Sequence, residues 1–258
     1  MSFWQIWGWG LAVVMIPLTL AWLWSVKITN ASIVDICWGM CFVALTWWYF
    51  SQAQGDAQRR LIISSLVTIW GLRLSIYIGW RNWGKPEDYR YVEFRQRYGA
   101  ERYWWFSFFQ VFLLQGVLAL LISLTLLGAQ IGPKSWNWLD YLAIGVWLIG
   151  FGFEAIGDWQ MARFKANPAN KGHVMRSGLW RYTRHPNYFG DATVWWGYAL
   201  FAIAAGSYWQ IIGALLMTWL IIRISGVLLL ERTMIKTKPQ YADYIAKTSA
   251  FLPWFPKS

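Results

Sequence analysis

The sequence predicts an all-α integral membrane protein with about seven transmembrane helices, its N-terminus outside and its C-terminus in the cytosol. Three observations predict it. Of 258 residues, 57% are hydrophobic and only 14% are charged, whereas soluble domains are nearer 25% charged. The apolar residues come in continuous runs long enough to cross a bilayer, which takes about 20 residues of helix. Aromatic residues make up 20% of the chain and include 23 tryptophans, a surplus expected where helix ends meet lipid headgroups.

The spans fall at about 4–26, 32–51, 61–82, 106–128, 138–160, 187–206 and 208–230. Each must be helical, because unpaired backbone amides cannot be left in hydrocarbon. A membrane β-barrel would instead show alternating segments of about ten residues. The first span lacks a basic leader region and a small-residue cleavage site, so it is read as a helix. The second carries Cys37 and Cys41 one turn apart. Without a neighbouring His/Cys cluster they make no zinc site, and packing is their expected role. Trp47, Trp48, Trp104, Trp105, Trp136 and Trp138 stand at span ends as interface anchors.

The fifth span contains Gly150-Phe-Gly-Phe-Glu-Ala155, a loose match to the glycine-rich dinucleotide pattern. That pattern has meaning only after a strand and at a helix start. Inside an apolar run its glycines are expected to let helices pack closely. The sixth span opens at Pro186, which suits a first helical turn because its missing N–H costs nothing there. Gly206 and Ser207 leave only a short hairpin before the seventh. With no repeat, low-complexity tract or linker, residues 1–258 read as one membrane domain.

Orientation follows from the charges, which sum to +11. Basic residues cluster in the loop after span three (Arg81, Lys85, Arg90, Arg95, Arg97, Arg102), in the loop after span five (Arg163, Lys165, Lys171, Arg176, Arg181, Arg184), and in the tail (Arg232, Lys236, Lys238, Lys247, Lys257). With seven spans these clusters share one side with Lys27, and the other side keeps Arg59, Arg60 and Lys134. The positive-inside rule makes the basic side cytosolic. Anionic membrane lipid accounts for the charge, so no nucleic-acid partner is required.

Ionisable residues within spans are rare, and they mark sites. Six stand out: Asp35, Arg73, Glu154, Asp158, Asp191 and Arg223. By the topology above all six fall in the cytosolic half, with Arg73 deepest at roughly 14 Å. The outer half is expected to hold none. A polar cavity open to the cytosol explains such a bias, whereas structural ion pairs have no reason to avoid the outer leaflet. Glu154 and Asp158, one turn apart, repel each other. They call for donors such as Arg73, Lys165 or ligand hydroxyls, or for protonation of one of them. The opening turn of span six presents free N–H groups beside Arg181, Arg184 and His185, a cradle suited to a phosphate or other anion.

Several segments together resemble the steroid 5α-reductase family, in particular its bacterial branch. They are Asn30-Ala-Ser-Ile-Val-Asp-Ile-Cys-Trp-Gly39, Gly71-Leu-Arg-Leu-Ser-Ile-Tyr-Ile78, Arg81-Asn-Trp-Gly-Lys-Pro-Glu-Asp-Tyr-Arg90, Phe153-Glu-Ala-Ile-Gly-Asp158, Arg184-His-Pro-Asn-Tyr-Phe-Gly-Asp191 and Ser249-Ala-Phe-Leu-Pro-Trp-Phe-Pro256. The likeness covers roughly residues 30–256. It implies an NADPH-dependent reductase of a conjugated carbonyl in a steroid-like or other lipid, with NADPH bound mainly by residues 71–258. Arg73, Asn82, Lys85, Asp158, Lys165, Asn187, Asp191 and Arg223 fall where the family contacts the cofactor, and Tyr188 belongs to the same block. Glu154 stands where steroid reductases carry an amide. The family places an acid from the second span near the substrate carbonyl, and Asp35 matches it. The tyrosine that pairs with that acid in steroid reductases has no match here, and Trp70 falls near its place.

Two other classes compete. Isoprenylcysteine carboxyl methyltransferases share an Arg-His-Pro-x-Tyr-x-Gly segment and bind S-adenosylmethionine. Against that reading stand Asp191 directly after the glycine and the many bases suited to three phosphate groups. The other is a non-enzymatic lipid-binding or transport protein; transporters often show paired repeats and broken central helices, neither of which is found in the sequence. The expected location is a bacterial inner membrane, crossed several times.

Overall fold

The computed structural model describes residues 1–257, apart from the side chains of Ser225, Leu229, Arg232 and Thr233. The Arg232 charge of the tail cluster therefore lies outside the described residues. Among the described residues the protein is all-helical, with no strand. Five helices are long and apolar enough to cross a membrane: Phe3–Ile28, Ile33–Gln52, Ala57–Asn82, Tyr103–Ile131 and Trp138–Ala166. They coincide with the first five expected spans. The sixth expected span falls on the helix Pro186–Ala205, and the seventh on a shorter apolar stretch, Trp209–Ile224.

We number the helices α1 (Phe3–Ile28), α2 (Ile33–Gln52), α3 (Ala57–Asn82) and α4 (Tyr89–Tyr98), the last lying in the basic loop after α3. The fourth span comprises α5 (Tyr103–Ser107), a π-helical turn Phe108–Leu113, α6 (Leu114–Ile122) and α7 (Leu124–Ile131). Then come α8 (Trp138–Ala166), α9 (Pro186–Ala205), α10 (Ile212–Trp219), a second π turn Leu220–Ser225, α11 (Val227–Thr237) and α12 (Tyr241–Lys247). The chain divides into two compact units. The first is Met1–Trp136 with Ala202–Gln210, and the second is Asn137–Phe201 with the residues from Ile211 on.

In the first unit α2 and α3 cross where two glycines meet. A Cβ on Gly39 would lie 2.4 Å from the Gly71 carbonyl oxygen, and one on Gly71 would lie 2.7 Å from that of Gly39. Both glycines belong to the segments that carry the family resemblance, so part of that signature encodes backbone approach. Buried polar pairs tie the fourth span to α2. Tyr49 and Ser123 share a 2.7 Å hydrogen bond, and Gln130 Nε2 donates to Thr46 Oγ1 at 3.0 Å.

The ends of the spans away from the basic loops are not free of buried charge, which corrects the expectation for the outer half. Arg59 is fully buried and donates to the carbonyls of Lys134 at 2.6 Å and Ser135 at 3.0 Å. In the second unit Asp140, in the first turn of α8, is also fully buried. It accepts from the Asn137 backbone at 2.8 Å, closing a capping box. The physical reason is local. Helix starts leave orphan N–H groups and loops leave orphan carbonyls, and a charged side chain of the right sign satisfies them. Buried charge is therefore not confined to the span ends beside the basic loops.

In the second unit α8 and α9 share a longer glycine seam. A Cβ on Gly150 would sit 2.5 Å from Val194 N, and one on Gly190 would sit 2.3 Å from Glu154 N. Gly157 faces Pro186 and Asn187, and Gly197 faces Trp147. Gly152, the other glycine of the dinucleotide-like pattern, meets nothing within 4 Å. Gly150 is thus a packing residue within a helix, as expected, and Gly152 takes no part.

Candidate functional site

The start of α2 is the chemically densest part of the first unit. The turn before α4 folds onto it through four hydrogen bonds. Ala31 N donates to Glu87 Oε1 at 2.7 Å and Asp88 N to Ser32 Oγ at 2.7 Å. Arg90 Nη2 reaches Asp35 Oδ2 at 2.8 Å, and the Tyr91 hydroxyl donates to Asp35 Oδ1 at 2.7 Å. Arg95 holds Glu87 in place at 2.9 Å. Asp88 caps α4 and accepts from Arg90 Nε at 2.9 Å.

Both carboxylate oxygens of Asp35 are therefore engaged, by a guanidinium and a phenol. Lys27, a nearby cation in sequence, lies over the Trp24 ring instead. Burial, then the Asp35 charge, hold the Tyr91 phenol well above its ordinary value of 10, so it stays protonated and donates. Burial alone would lower Arg90 and raise Asp88, but the hydrogen bonds and charges between the two hold Arg90 above, and Asp88 below, their ordinary values.

Tyr91 and Arg90 are the residues that sequence reasoning missed as a site. A phenol was sought near Trp70, which is buried against Phe42 with ring centroids 5.8 Å apart. The available signal was Asp88, a good N-cap, ahead of an amphipathic stretch closed by Gly99. It marks a short helix that could bring an aromatic back to α2. Arg73 is half-buried on α3, Asn82 accepts from Arg81 Nε at 3.2 Å, and Lys85 is exposed.

In the second unit Glu154 and Asp158 are both buried along the α8–α9 seam. One donor to Asp158 is Asn187, whose Nδ2 lies 3.0 Å from Asp158 Oδ1. The other end of that amide, Asn187 Oδ1, is shut away from solvent with no hydrogen-bond partner among the described residues. Asp191 follows one turn later on α9 and is half-buried, while Lys165, Arg181 and Arg223 are exposed.

Arg184 and His185, expected beside an anion, are buried and engaged elsewhere. Arg184 Nε meets Glu231 Oε1 at 2.7 Å, and its Nη1 donates to the carbonyls of Ile245 and Thr248. His185 Nε2 lies 3.3 Å from the same Glu231 oxygen. Tyr188 stacks on His185 with ring centroids 5.7 Å apart and lies against the space beside Gly226. These groups tie the entry of α9 to the C-terminal segment. Arg184 N donates to Ser249 O, Thr183 Oγ1 to Phe251 O and Trp254 N to Tyr182 O, each at 2.9 Å.

Glu231 is the charged centre of that tie. Its burial would raise its pKa, but the His185 and Arg184 hydrogen bonds win and bring it from 4.5 to about 2. A carboxyl depressed on folding stabilises fully above its unfolded pKa, and the contribution is lost as pH falls toward its folded pKa. Glu231→Gln is expected to lower stability at pH 7 by about 1.5–3 kcal/mol, the range for hydrogen bonds to charged groups. In thermal melts the gap between variant and parent should close between about pH 4.5 and pH 2. A gap that does not change with pH would remove the charge from the explanation.

Comparison with known proteins adds the following. The family described as "Protein of unknown function (DUF1295)" matches residues 21–248. An "Uncharacterized protein C594.04c" of Schizosaccharomyces pombe is 28% identical over 268 residues, covering 90% of this chain and 75% of that protein. No solved structure matches the chain.

Proposed function

The chain belongs to the DUF1295 family, which is associated with steroid 5α-reductase-like proteins, and from that premise we propose an NADPH-dependent membrane reductase of a conjugated carbonyl lipid. The topology proposed with it has seven crossings: the five long helices, α9, and the stretch from α10 through the second π turn. The N-terminus is outside and the basic loops are cytosolic, in a bacterial inner membrane.

One observation carries the reading. Asn187 spends its amide N–H on Asp158, and its carbonyl oxygen is buried without a partner among the described residues. A buried acceptor left unmade costs about 1–3 kcal/mol, which a ligand N–H removes. The carboxamide of a nicotinamide supplies such a donor, so the residues present fit the cofactor. Around it Glu154, Asp158 and Asp191 offer acceptors for ribose hydroxyls, and exposed Lys165 and Arg223 offer cations for phosphates. Arg184, His185 and Tyr188 serve by fixing the entry of α9, and hence the position of Asn187.

NADPH when bound supplies the hydride, delivered to the β-carbon of the enone. The chain's own part in the chemistry falls to Tyr91 and Asp35. The single proton of the phenol rests on Asp35 Oδ1, and the hydroxyl would act as a general acid by turning that proton to a carbonyl oxygen. Asp35, backed by Arg90, orients that phenol.

The test is a titration of NADPH, NADH and S-adenosylmethionine into the purified protein in nanodiscs. NADPH is expected to bind at least about tenfold more tightly than NADH, a difference of about 1.4 kcal/mol, with no binding of S-adenosylmethionine. Asn187→Ala should weaken NADPH by about tenfold or more while near-UV circular dichroism stays unchanged. Equal affinity for the two nucleotides, or binding of S-adenosylmethionine alone, would sink the reductase reading.

A further inference from the structure

The C-terminal segment carries large apolar side chains that the protein itself does not cover. Leu252, Trp254 and Phe255 are 66%, 73% and 74% exposed. They sit on a rigid strap, since Thr183 Oγ1 holds Phe251 O and Tyr182 O holds Trp254 N. The Tyr182 ring also meets Phe255 edge-on, with centroids 6.0 Å apart. An exposed aromatic cluster on a fixed support is a surface for something, because single exposed apolar residues are common but contiguous patches are not.

The height of the strap along α8 says what that something is. Trp180 Nε1 donates to Gly157 O at 3.1 Å, and Leu179 N donates to Gln160 Oε1 at 3.0 Å. Residues 179–180 are thus level with residues 157–160 of α8, roughly 9–14 Å short of the end of that helix at 1.5 Å per residue. Residues 182–183 follow directly and hold the strap. At the same level of α8, Trp159 is exposed and Arg163 lies over its ring at 5.0 Å, the pairing of amphipathic ring and cation found where helices leave the hydrocarbon. Arg181, Lys247 and Lys257 are exposed around the strap, and Lys257 N is held to Lys247 O at 2.9 Å.

We propose that Leu252, Trp254 and Phe255 form an interfacial anchor that inserts into the headgroup boundary of an anionic bilayer leaflet, with Arg181, Lys247 and Lys257 facing the lipid charges. The apolar tips bury area in the acyl boundary, and each basic residue near an anionic surface adds attraction that salt screens. The anchor does not rest on the reductase reading. It adds a membrane contact made by a segment outside every span, on the strap that also fixes the entry of α9.

The test uses the full-length protein in nanodiscs of zwitterionic lipid, with or without an anionic lipid. A nitroxide at Leu252→Cys, in a Cys37→Ala, Cys41→Ala background, reads its accessibility to oxygen against a water-soluble nickel chelate. The ratio is expected to exceed that at Lys236→Cys several-fold, and to rise further with anionic lipid. Arg181→Gln with Lys257→Gln should remove the further rise. On the unmodified chain, a lipid carrying a diazirine at its headgroup-proximal carbons should label residues 251–255. An aqueous ratio with no lipid labelling overturns the proposal. So does spin–spin broadening that disappears on dilution with unlabelled protein, which would assign the patch to a second copy.

Discussion

Gly190→Val is expected to prevent the α8–α9 pair from forming. A Cβ at this position would stand 2.3 Å from Glu154 N, 2.6 Å from Gly150 O and 2.8 Å from Glu154 Cα. All three are backbone atoms of a long helix, so no side chain can turn away to make room. Two helices must part along their length, which also breaks the approach of Gly157 to Pro186 and Asn187. Overpacked cores usually lose about 1–3 kcal/mol, and a rigid backbone clash belongs to the exceptional class above about 4 kcal/mol. The expected outcome is loss of the cooperative thermal transition and of near-UV circular dichroism. Gly152→Ala, where a Cβ meets nothing, is the control. It should be neutral or stabilise by up to about 1 kcal/mol, the helix preference of alanine over glycine. A valine variant that melts like the parent would refute the seam.

The second large effect is expected at the start of α2. Asp35→Asn and Tyr91→Phe should each slow single-turnover NADPH oxidation with a conjugated ketone lipid by about 10²–10⁴-fold, the usual worth of a positioned acid. NADPH affinity should stay within about twofold. The phenylalanine variant is the cleaner of the two, because it removes the phenol while leaving the 2.8 Å Arg90–Asp35 pair intact. Asparagine keeps the shape of Asp35 but withdraws the charge from Arg90, which retains Asp88 at 2.9 Å. If either variant melts several degrees lower yet oxidises NADPH at the parental rate per folded molecule, the cluster is structural.

The helices were legible because apolar length is a local property. The second expected span, 32–51, is the helix Ile33–Gln52, and the sixth, 187–206, is Pro186–Ala205. Hydropathy said nothing about the two π turns, since an added residue in a turn leaves an apolar run just as apolar. It also ran on across Gly226, where the backbone bends and α11 begins. Asp158 and Asn187 were both legible as candidates, from buried charge and from the Arg-His-Pro-Asn block. Their mutual hydrogen bond was not, because it joins residues 29 apart. Glu231 escaped notice for the same reason. Its charge looks like an ordinary span-end acid until Arg184 and His185, 47 and 46 residues away, arrive beside it.

Arg59 carries a consequence for biosynthesis. Its acceptors are the carbonyls of Lys134 and Ser135, the first of them 75 residues later in the chain. At about 5–20 residues per second, a ribosome needs roughly 4–15 s to supply them. During that interval α2 and α3 are already made, and these two acceptors of the Arg59 guanidinium are not. The two contacts can therefore form only after the chain through residue 135 has been synthesised, so they close the first unit late rather than nucleate it.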